Sequence, residues 1–240
     1  SMTKYKIDVA TDQNDLFSKT VEIIIEQINH FLSIKKRVQI SLSGGSTPAE
    51  VYRLLSREDI DWSRVDIFLG DERWVDTSDK SSNALMINKT LLSDFPGSKA
   101  SFHAIPTTEL STPAESAVAF SKLLREKCIG DPPVFDLILL GLGEDGHTAS
   151  LFPYTESLNV FDQWTTISHG KGQDRITLTA PVLSAATMVI FLVSGLSKQI
   201  ALKRLIDPFE TFERTPAKLV RPSNPVLILS DQLAAKLISK

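Results

Sequence analysis

The chain has 240 residues, 42% hydrophobic and 23% charged, a balance that lets a globular chain bury a large core without a disulfide or metal staple. Its 26 Lys and Arg against 29 Asp and Glu give a net charge of −3, which excludes bulk attraction to nucleic acid or an anionic membrane, so any anion site must be local. Cys128 is the only cysteine, which excludes an internal disulfide; no Cys/His cluster has zinc-ligand spacing, and no apolar run approaches the roughly 18 residues of a membrane span.

Ser1, ahead of Met2, reads as a cloning remnant, and no basic segment followed by an apolar core marks a secretory signal. With the lone cysteine, this points to a reducing, cytoplasmic compartment. Residues 4–10 alternate loosely, as an edge strand does. From Asp15 to Leu32 the positions Leu16, Phe17, Val21, Ile24, Ile25, Ile28, Phe31 and Leu32 recur at helical spacing and predict an amphipathic helix. Arg37–Ser43 follows as a β-branched strand.

Ser43-Gly44-Gly45-Ser46-Thr47-Pro48-Ala49-Glu50 comes next. Thr47 is expected as N-cap, Pro48 as the first helical residue and Glu50 as the capping-box partner of a helix running to about Ser56. A strand, a Gly/Ser turn and a helix N-terminus together offer free N–H groups and a positive dipole end to an anion, which makes Ser43, Gly44, Gly45 and Thr47 phosphate-binding candidates. The alternative is a well-capped helix with no ligand. No Gly-Lys-Ser/Thr follows, so this is not a Walker loop.

Val65–Gly70 is another strand, running into Asp71-Glu72-Arg73-Trp74-Val75. Three charges at a strand end are costly unless solvated, paired or used. Arg73 either pairs with an acid to fix the loop or grips phosphate oxygens with its bidentate fork. A polar loop from Asp79 to Asn83 leads into a helix to about Leu92. Ser101–Pro106 is a short strand, and Thr112–Lys127 a helix capped by Thr112 and Glu115.

After Pro132-Pro133 comes an apolar run, Phe135 to Leu140, that reads as a buried parallel strand. It ends in a glycine turn presenting Asp145 and His147 ahead of an expected helical segment. Loops at the carboxyl ends of such strands hold the ligands of open α/β sheets, so Asp145 and His147 are the first candidates for chemistry. The alternative is a tight turn with a structural histidine.

Val160–Ser168 and Arg175–Thr179 read as short strands around Gly170-Lys171-Gly172, and Met188–Val193 as a strongly apolar one. Lys198 falls in the first turn of the helix that follows, where a cation opposes the dipole and needs solvent or a bound anion. Pro208–Pro222 is irregular, Val226–Leu229 is the last strand, and Asp231–Ile238 is expected as a closing helix. Strands alternating with helices predict one α/β domain over residues 1–240, a mostly parallel sheet with helices on both faces.

Gly141-Leu142-Gly143-Glu144-Asp145-Gly146 matches the dinucleotide pattern G-x-G-x-x-G. Glu144 and Asp145 would set two negative charges beside a pyrophosphate, and no second strand ends at a ribose-binding acid. A nicotinamide cofactor is therefore not expected, nor any other cofactor.

Ser43-Gly-Gly-Ser-Thr-Pro48, Gly70-Asp-Glu-Arg-Trp-Val75, Ser82-Asn83, Gly141-Leu-Gly-Glu-Asp-Gly-His-Thr-Ala-Ser-Leu-Phe-Pro153, Arg175-Ile-Thr-Leu-Thr179 and Gly195-Leu-Ser-Lys198 occur in this order. Together they resemble the 6-phosphogluconolactonase family, over roughly residues 38–230. The resemblance implies a Rossmann-like fold shared with glucosamine-6-phosphate deaminase and ribose-5-phosphate isomerase. It also implies metal-free hydrolysis of 6-phosphoglucono-δ-lactone, a small sugar-phosphate substrate. No nucleic-acid or membrane partner is expected, and the chain is expected to be a monomer or weak homo-oligomer. The segment Leu219–Pro225 departs from the family pattern.

Opening a lactone requires an activated water, a held oxyanion and protonation of the leaving ring oxygen. His147 suits the base role and Asp145 can orient it. Arg73, Lys198 and the Ser43–Thr47 turn would converge on the phosphate if their strands are parallel, with Asp71 and Arg175 as secondary candidates in the same pocket. Two rivals are a deaminase, for which this chain has Arg73 in place of Tyr and Ser150-Leu151-Phe152-Pro153 in place of an Asn-Glu-Pro ending, and a non-catalytic sugar-phosphate sensor.

Overall fold

In the computed structural model, which describes residues 2–238, the strands are β1 (Tyr5–Ala10), β2 (Val38–Leu42), β3 (Val65–Leu69), β4 (Asp71–Arg73), β5 (Ser101–Phe102), β6 (Leu137–Leu140), β7 (Thr165–Gly170), β8 (Gln173–Leu178), β9 (Met188–Val193) and β10 (Val226–Asp231). Seven of them form one sheet in the order β1-β10-β9-β6-β2-β3-β5, with every pairing parallel. All residues of β2, β3 and β6 are buried, which requires cover on both faces; β6 is accordingly an unbroken apolar sequence, while the buried polar residues Gln39 of β2 and Asp66 of β3 are hydrogen-bonded to each other. β1 is an edge strand, as its loose alternation suggests.

The helices are α1 (Gln13–Ile34), α2 (Ser46–Leu55), α3 (Asn83–Lys89), α4 (Pro113–Lys127), α5 (Ala180–Ala185) and α6 (Gln199–Ile206). The Asp12 side chain caps α1 by accepting the Asp15 N–H at 2.8 Å. Leu16, Ile24 and Ile28 then sit on its buried face, each contributing about 2 kcal/mol of burial. Thr112 caps α4 through the Glu115 N–H, as expected.

Three expectations fail and a fourth is met with shifted bounds. The residues after His147 do not form a helix: Thr148 and Leu151 make an isolated bridge, Ala149 has φ 48°, and only a 3₁₀ turn follows at Glu156–Asn159. The dinucleotide pattern therefore also lacks its helix. Thr47 is not the cap of α2. Gly45, with φ 116° and ψ 160°, takes that position, so the helix starts at Ser46 and Glu50 pairs with Arg53 instead. The strand placed at Val160–Ser168 is β7, shifted toward its hairpin turn. Asp231–Ile238 forms successive turns, because Asp231 ends β10 and its carboxylate is shared among Ser194, Gly195 and Ala234.

A second, three-stranded sheet was not expected. It has the order β4-β8-β7, all antiparallel, with α4 packed against β7 and β8. The chain passes from β3 into β4 through Gly70 alone. Gly70 spans the two sheets, donating to the Leu42 carbonyl and accepting the Leu178 N–H.

Candidate active site

β3 and β5 lie on one side of β2; β6, β9 and β10 lie on the other. The chain switches sides here, and a crevice is expected outside the carboxyl ends of β2 and β6. A cavity of about 290 Å³ opens there, lined by Ser43–Pro48 after β2, Asp71 and Arg73 of β4, Gly141–Gly143 and His147–Ala149 after β6, Arg175 of β8, and Ser194 and Lys198 after β9. The structure thus brings Ser43, Gly44, Gly45, Thr47, Arg73, Lys198, Asp71, Arg175 and His147 to one cavity. Asp145 sits behind His147 rather than on the cavity wall.

The Ser43 turn is held from below. Tyr52, fully buried on α2, accepts the Ser43 N–H at 3.0 Å and donates its hydroxyl to the Ser43 carbonyl at 2.7 Å. Both backbone groups of Ser43 are thereby used. The N–H groups of Ser46 and Thr47 in the first turn of α2 have no intrahelical acceptor and no other partner among the described residues. Pro48 has no N–H to leave unpaired. These donors and the helix dipole make this wall suited to an anion.

The opposite wall is cationic. Arg73 and Arg175 are direct cross-strand partners in the β4–β8 pair. Like charges in that register repel. Burial and the neighbouring Arg73 both lower the pKa of Arg175, while Asp71 and Glu72 oppose them. Arg175 is 4% exposed; its Nε donates to the Gly170 carbonyl and its guanidinium stacks 5.0 Å from the Phe152 ring. Arg73 donates Nη1 to the Ser81 carbonyl, but its buried Nε has no partner among the described residues. Lys198 lies in a 3₁₀ turn ahead of α6 and forms no ion pair among the described residues. Its loop is tied down by Asp231, which accepts from Ser194 Oγ and the Gly195 N–H.

The third wall carries the histidine. His147 Nδ1 lies 2.6 Å from Asp145 Oδ1, which also accepts the His147 backbone N–H. Burial alone would raise the Asp145 pKa, but these bonds and Lys171, 3.4 Å away, hold the carboxyl well below the usual carboxylate range. The carboxylate partner assigns the proton to Nδ1 and leaves Nε2 as the nitrogen able to take one. Phe152 packs 4.6 Å from the imidazole. Gly143 is required for this arrangement, because a Cβ there would lie 2.1 Å from His147 Nδ1. Its N–H also closes the turn on the His147 carbonyl at 2.8 Å.

Sequence reasoning gave no site role to three contributors, although Ser82-Asn83 is among the motifs that carry the resemblance. Asn83 lines the cavity, donates Nδ2 to the Asp71 carbonyl and packs Oδ1 on Gly44. Glu72 is buried behind the cationic wall and accepts the N–H groups of Arg73, Asn83 and Ala84. Tyr52 is the third; only its place seven residues after Gly45 on an amphipathic helix hinted at it. Among the described residues no group of three or more His, Cys, Asp or Glu side chains is placed to hold a metal ion, and no helix is long and apolar enough to cross a membrane.

A family model described as glucosamine-6-phosphate isomerases/6-phosphogluconolactonase matches residues 11–229. The chain belongs to this family. It is 34% identical to a 6-phosphogluconolactonase of Nostoc sp. over 98% of this chain and 99% of the relative, and 35% identical to one of Synechocystis sp. over 96% and 97%. Among solved structures, the 6-phosphogluconolactonase of Trypanosoma brucei superposes with a TM-score of 0.86 at 26% identity, covering 99% of this chain and all of that one. A monomeric glucosamine-6-phosphate deaminase shares the fold, with a TM-score of 0.80 at 19% identity over 97% and 99%. The Rossmann-like parallel sheet expected from the sequence is the fold of this family.

Proposed function

We infer that the chain is a 6-phosphogluconolactonase, hydrolysing 6-phospho-D-glucono-1,5-lactone to 6-phospho-D-gluconate in the second step of the oxidative pentose phosphate pathway. The observation that carries the reading is one cavity with a carboxylate-held histidine on one wall and two facing arginines, Arg73 and Arg175, on another. An acid–base group and a phosphate-sized cation pair in the same small cavity suit a substrate that carries both a hydrolysable carbonyl and a phosphate.

In this reading the phosphate sits between the first-turn N–H groups of α2 and the cations Arg73, Arg175 and Lys198. Its charge relieves the repulsion between the two guanidiniums and gives the unpartnered Arg73 Nε an acceptor. His147 Nε2 removes a proton from the attacking water as it adds to C1 of the lactone. Asp145 keeps the imidazole in the productive tautomer and stabilises the imidazolium that forms. The tetrahedral intermediate collapses by breaking the bond from C1 to the ring oxygen, and the imidazolium returns its proton to that oxygen. The product is a carboxylic acid, ionised at neutral pH, with a free hydroxyl on C5. Asp71 is tied to Ser150 Oγ at 2.5 Å and lies 4.0 Å from Arg175 Nη1, so it anchors the cationic wall rather than taking part in proton transfer.

The test offers the purified chain two substrates in parallel. Acid release from freshly generated lactone should exceed the spontaneous background, and glucosamine 6-phosphate should yield no ammonia. Ammonia release without lactone acceleration overturns the reading.

A further inference from the structure

The irregular segment between α6 and β10 is built around one buried carboxylate. The Glu210 side chain is 4% exposed. It accepts from the Thr211 N–H at 3.0 Å, from Arg214 Nε at 3.1 and 3.0 Å, and from Thr215 Oγ1 at 3.0 Å, with Arg204 Nε at 3.7 Å. Burial opposes its ionisation, but these donors hold its pKa below the ordinary value. A carboxylate saturated in this way fixes the path of the loop that supplies the donors.

That loop ends on the turn bearing His147. Thr215 is fully buried and lies against Gly146, the residue between Asp145 and His147. A Cβ on Gly146 would meet Thr215 Cα and Cγ2 at 3.0 Å and Cβ at 3.2 Å, so Thr215 fills the space a side chain there would take. Two residues on, the Ala217 N–H donates to the Gly146 carbonyl at 3.0 Å, and the Glu213 carbonyl accepts the Tyr154 N–H at 3.0 Å. Gly146 is thus packed by Thr215 and hydrogen-bonded by Ala217. Any shift of Gly146 moves Asp145 and His147 relative to the rest of the cavity.

We propose that Glu210 is a positioning residue for the reaction, holding the His147 turn in register through Thr215. The proposal rests on His147 being the base. Neither Glu210 nor Thr215 lines the cavity, so they leave phosphate binding alone and act on the chemical step. Misplacing a reacting group by a fraction of an ångström is enough to slow chemistry about tenfold.

The experiment compares parent, Thr215→Val, Thr215→Ser, Glu210→Gln and His147→Ala by steady-state kinetics on the lactone, with inhibition by 6-phosphogluconate as a binding readout. Thr215→Val keeps the shape against Gly146 and loses the bond to Glu210; Thr215→Ser keeps the bond. Thr215→Val and Glu210→Gln should lower kcat about tenfold with KM and the inhibition constant within about twofold, and Thr215→Ser should recover most of the rate. The downfield imidazole N–H proton resonance of the His147–Asp145 bond, identified by its loss in His147→Ala, should broaden in Thr215→Val and stay sharp in Thr215→Ser. Parent-like kcat in both Thr215→Val and Glu210→Gln overturns the proposal while leaving the base assignment standing. So does an equal loss of rate and inhibitor affinity, which marks a merely structural role. Near-parent turnover in His147→Ala removes the base itself, a separate failure.

Discussion

His147 Nδ1 and Asp145 Oδ1 are 2.6 Å apart, and the same oxygen accepts the backbone N–H of His147 at 3.1 Å. The carboxylate therefore fixes both the ring and the main chain that carries it. Asp145→Asn nearly preserves the shape but removes the charge that supports an imidazolium. Its kcat should fall by about 10²-fold or more with KM little changed, read by initial rates on fresh lactone after background subtraction. A proportional rise in KM would instead make Asp145 a binding residue.

Gly143 gives a second way to separate the pair. In Gly143→Ala the new Cβ would lie 2.1 Å from His147 Nδ1 and 2.8 Å from Asp145 Oδ1, so the imidazole must move. No positive φ is needed at this position, which confines the damage to the contact. The expected outcome is a kcat loss comparable to that of Asp145→Asn, with near-ultraviolet circular dichroism preserved. Near-parent turnover would show that the imidazole position tolerates a displacement larger than the proposed mechanism allows.

The parallel sheet was legible because buried strands such as Leu137–Leu140 and Met188–Val193 are unbroken apolar runs. The convergence of the Ser43 turn, Lys198 and His147 followed from parallel strand ends, whereas Arg73 reaches the cavity on β4 of the small antiparallel sheet. Two strands of the small sheet, β7 and β8, were legible as short runs around Gly170-Lys171-Gly172, but their membership of a separate sheet with a third strand was not. Its β4 is Asp71-Glu72-Arg73, three charged residues with no strand-like pattern, and it pairs with residues about a hundred positions away. Thr47 was misassigned because capping rules read side chains, whereas the turn at Gly45 is set by a backbone angle open mainly to glycine. The bracing by Glu72 and Thr215 depends on tertiary contacts that no local spacing reports, and helix spacing marks only the buried face on which Tyr52 lies.

Glu72 makes stability depend on pH. Burial, reinforced by Asp71, pushes its pKa up to about 7 against three N–H donors. Below pH 4.5 the group is protonated in both states and this contribution is fully present. Between pH 4.5 and 7 the unfolded chain releases the proton first, so the contribution is lost as pH rises. The stability advantage of the parent over Glu72→Gln should therefore shrink by about 3 kcal/mol from pH 4.5 to pH 8, measured by urea unfolding at each pH. A difference independent of pH would mean that Glu72 is ionised throughout that range.

The most direct measurement is the hydrolysis of freshly generated 6-phosphoglucono-1,5-lactone by the parent and His147→Ala side by side, with the spontaneous rate subtracted. The parent should accelerate the reaction, and His147→Ala should lose about 10²- to 10⁴-fold of that acceleration while remaining folded. A parent no faster than background would contradict the lactonase reading, and a His147→Ala variant turning over at near-parent rate would contradict the assignment of the base.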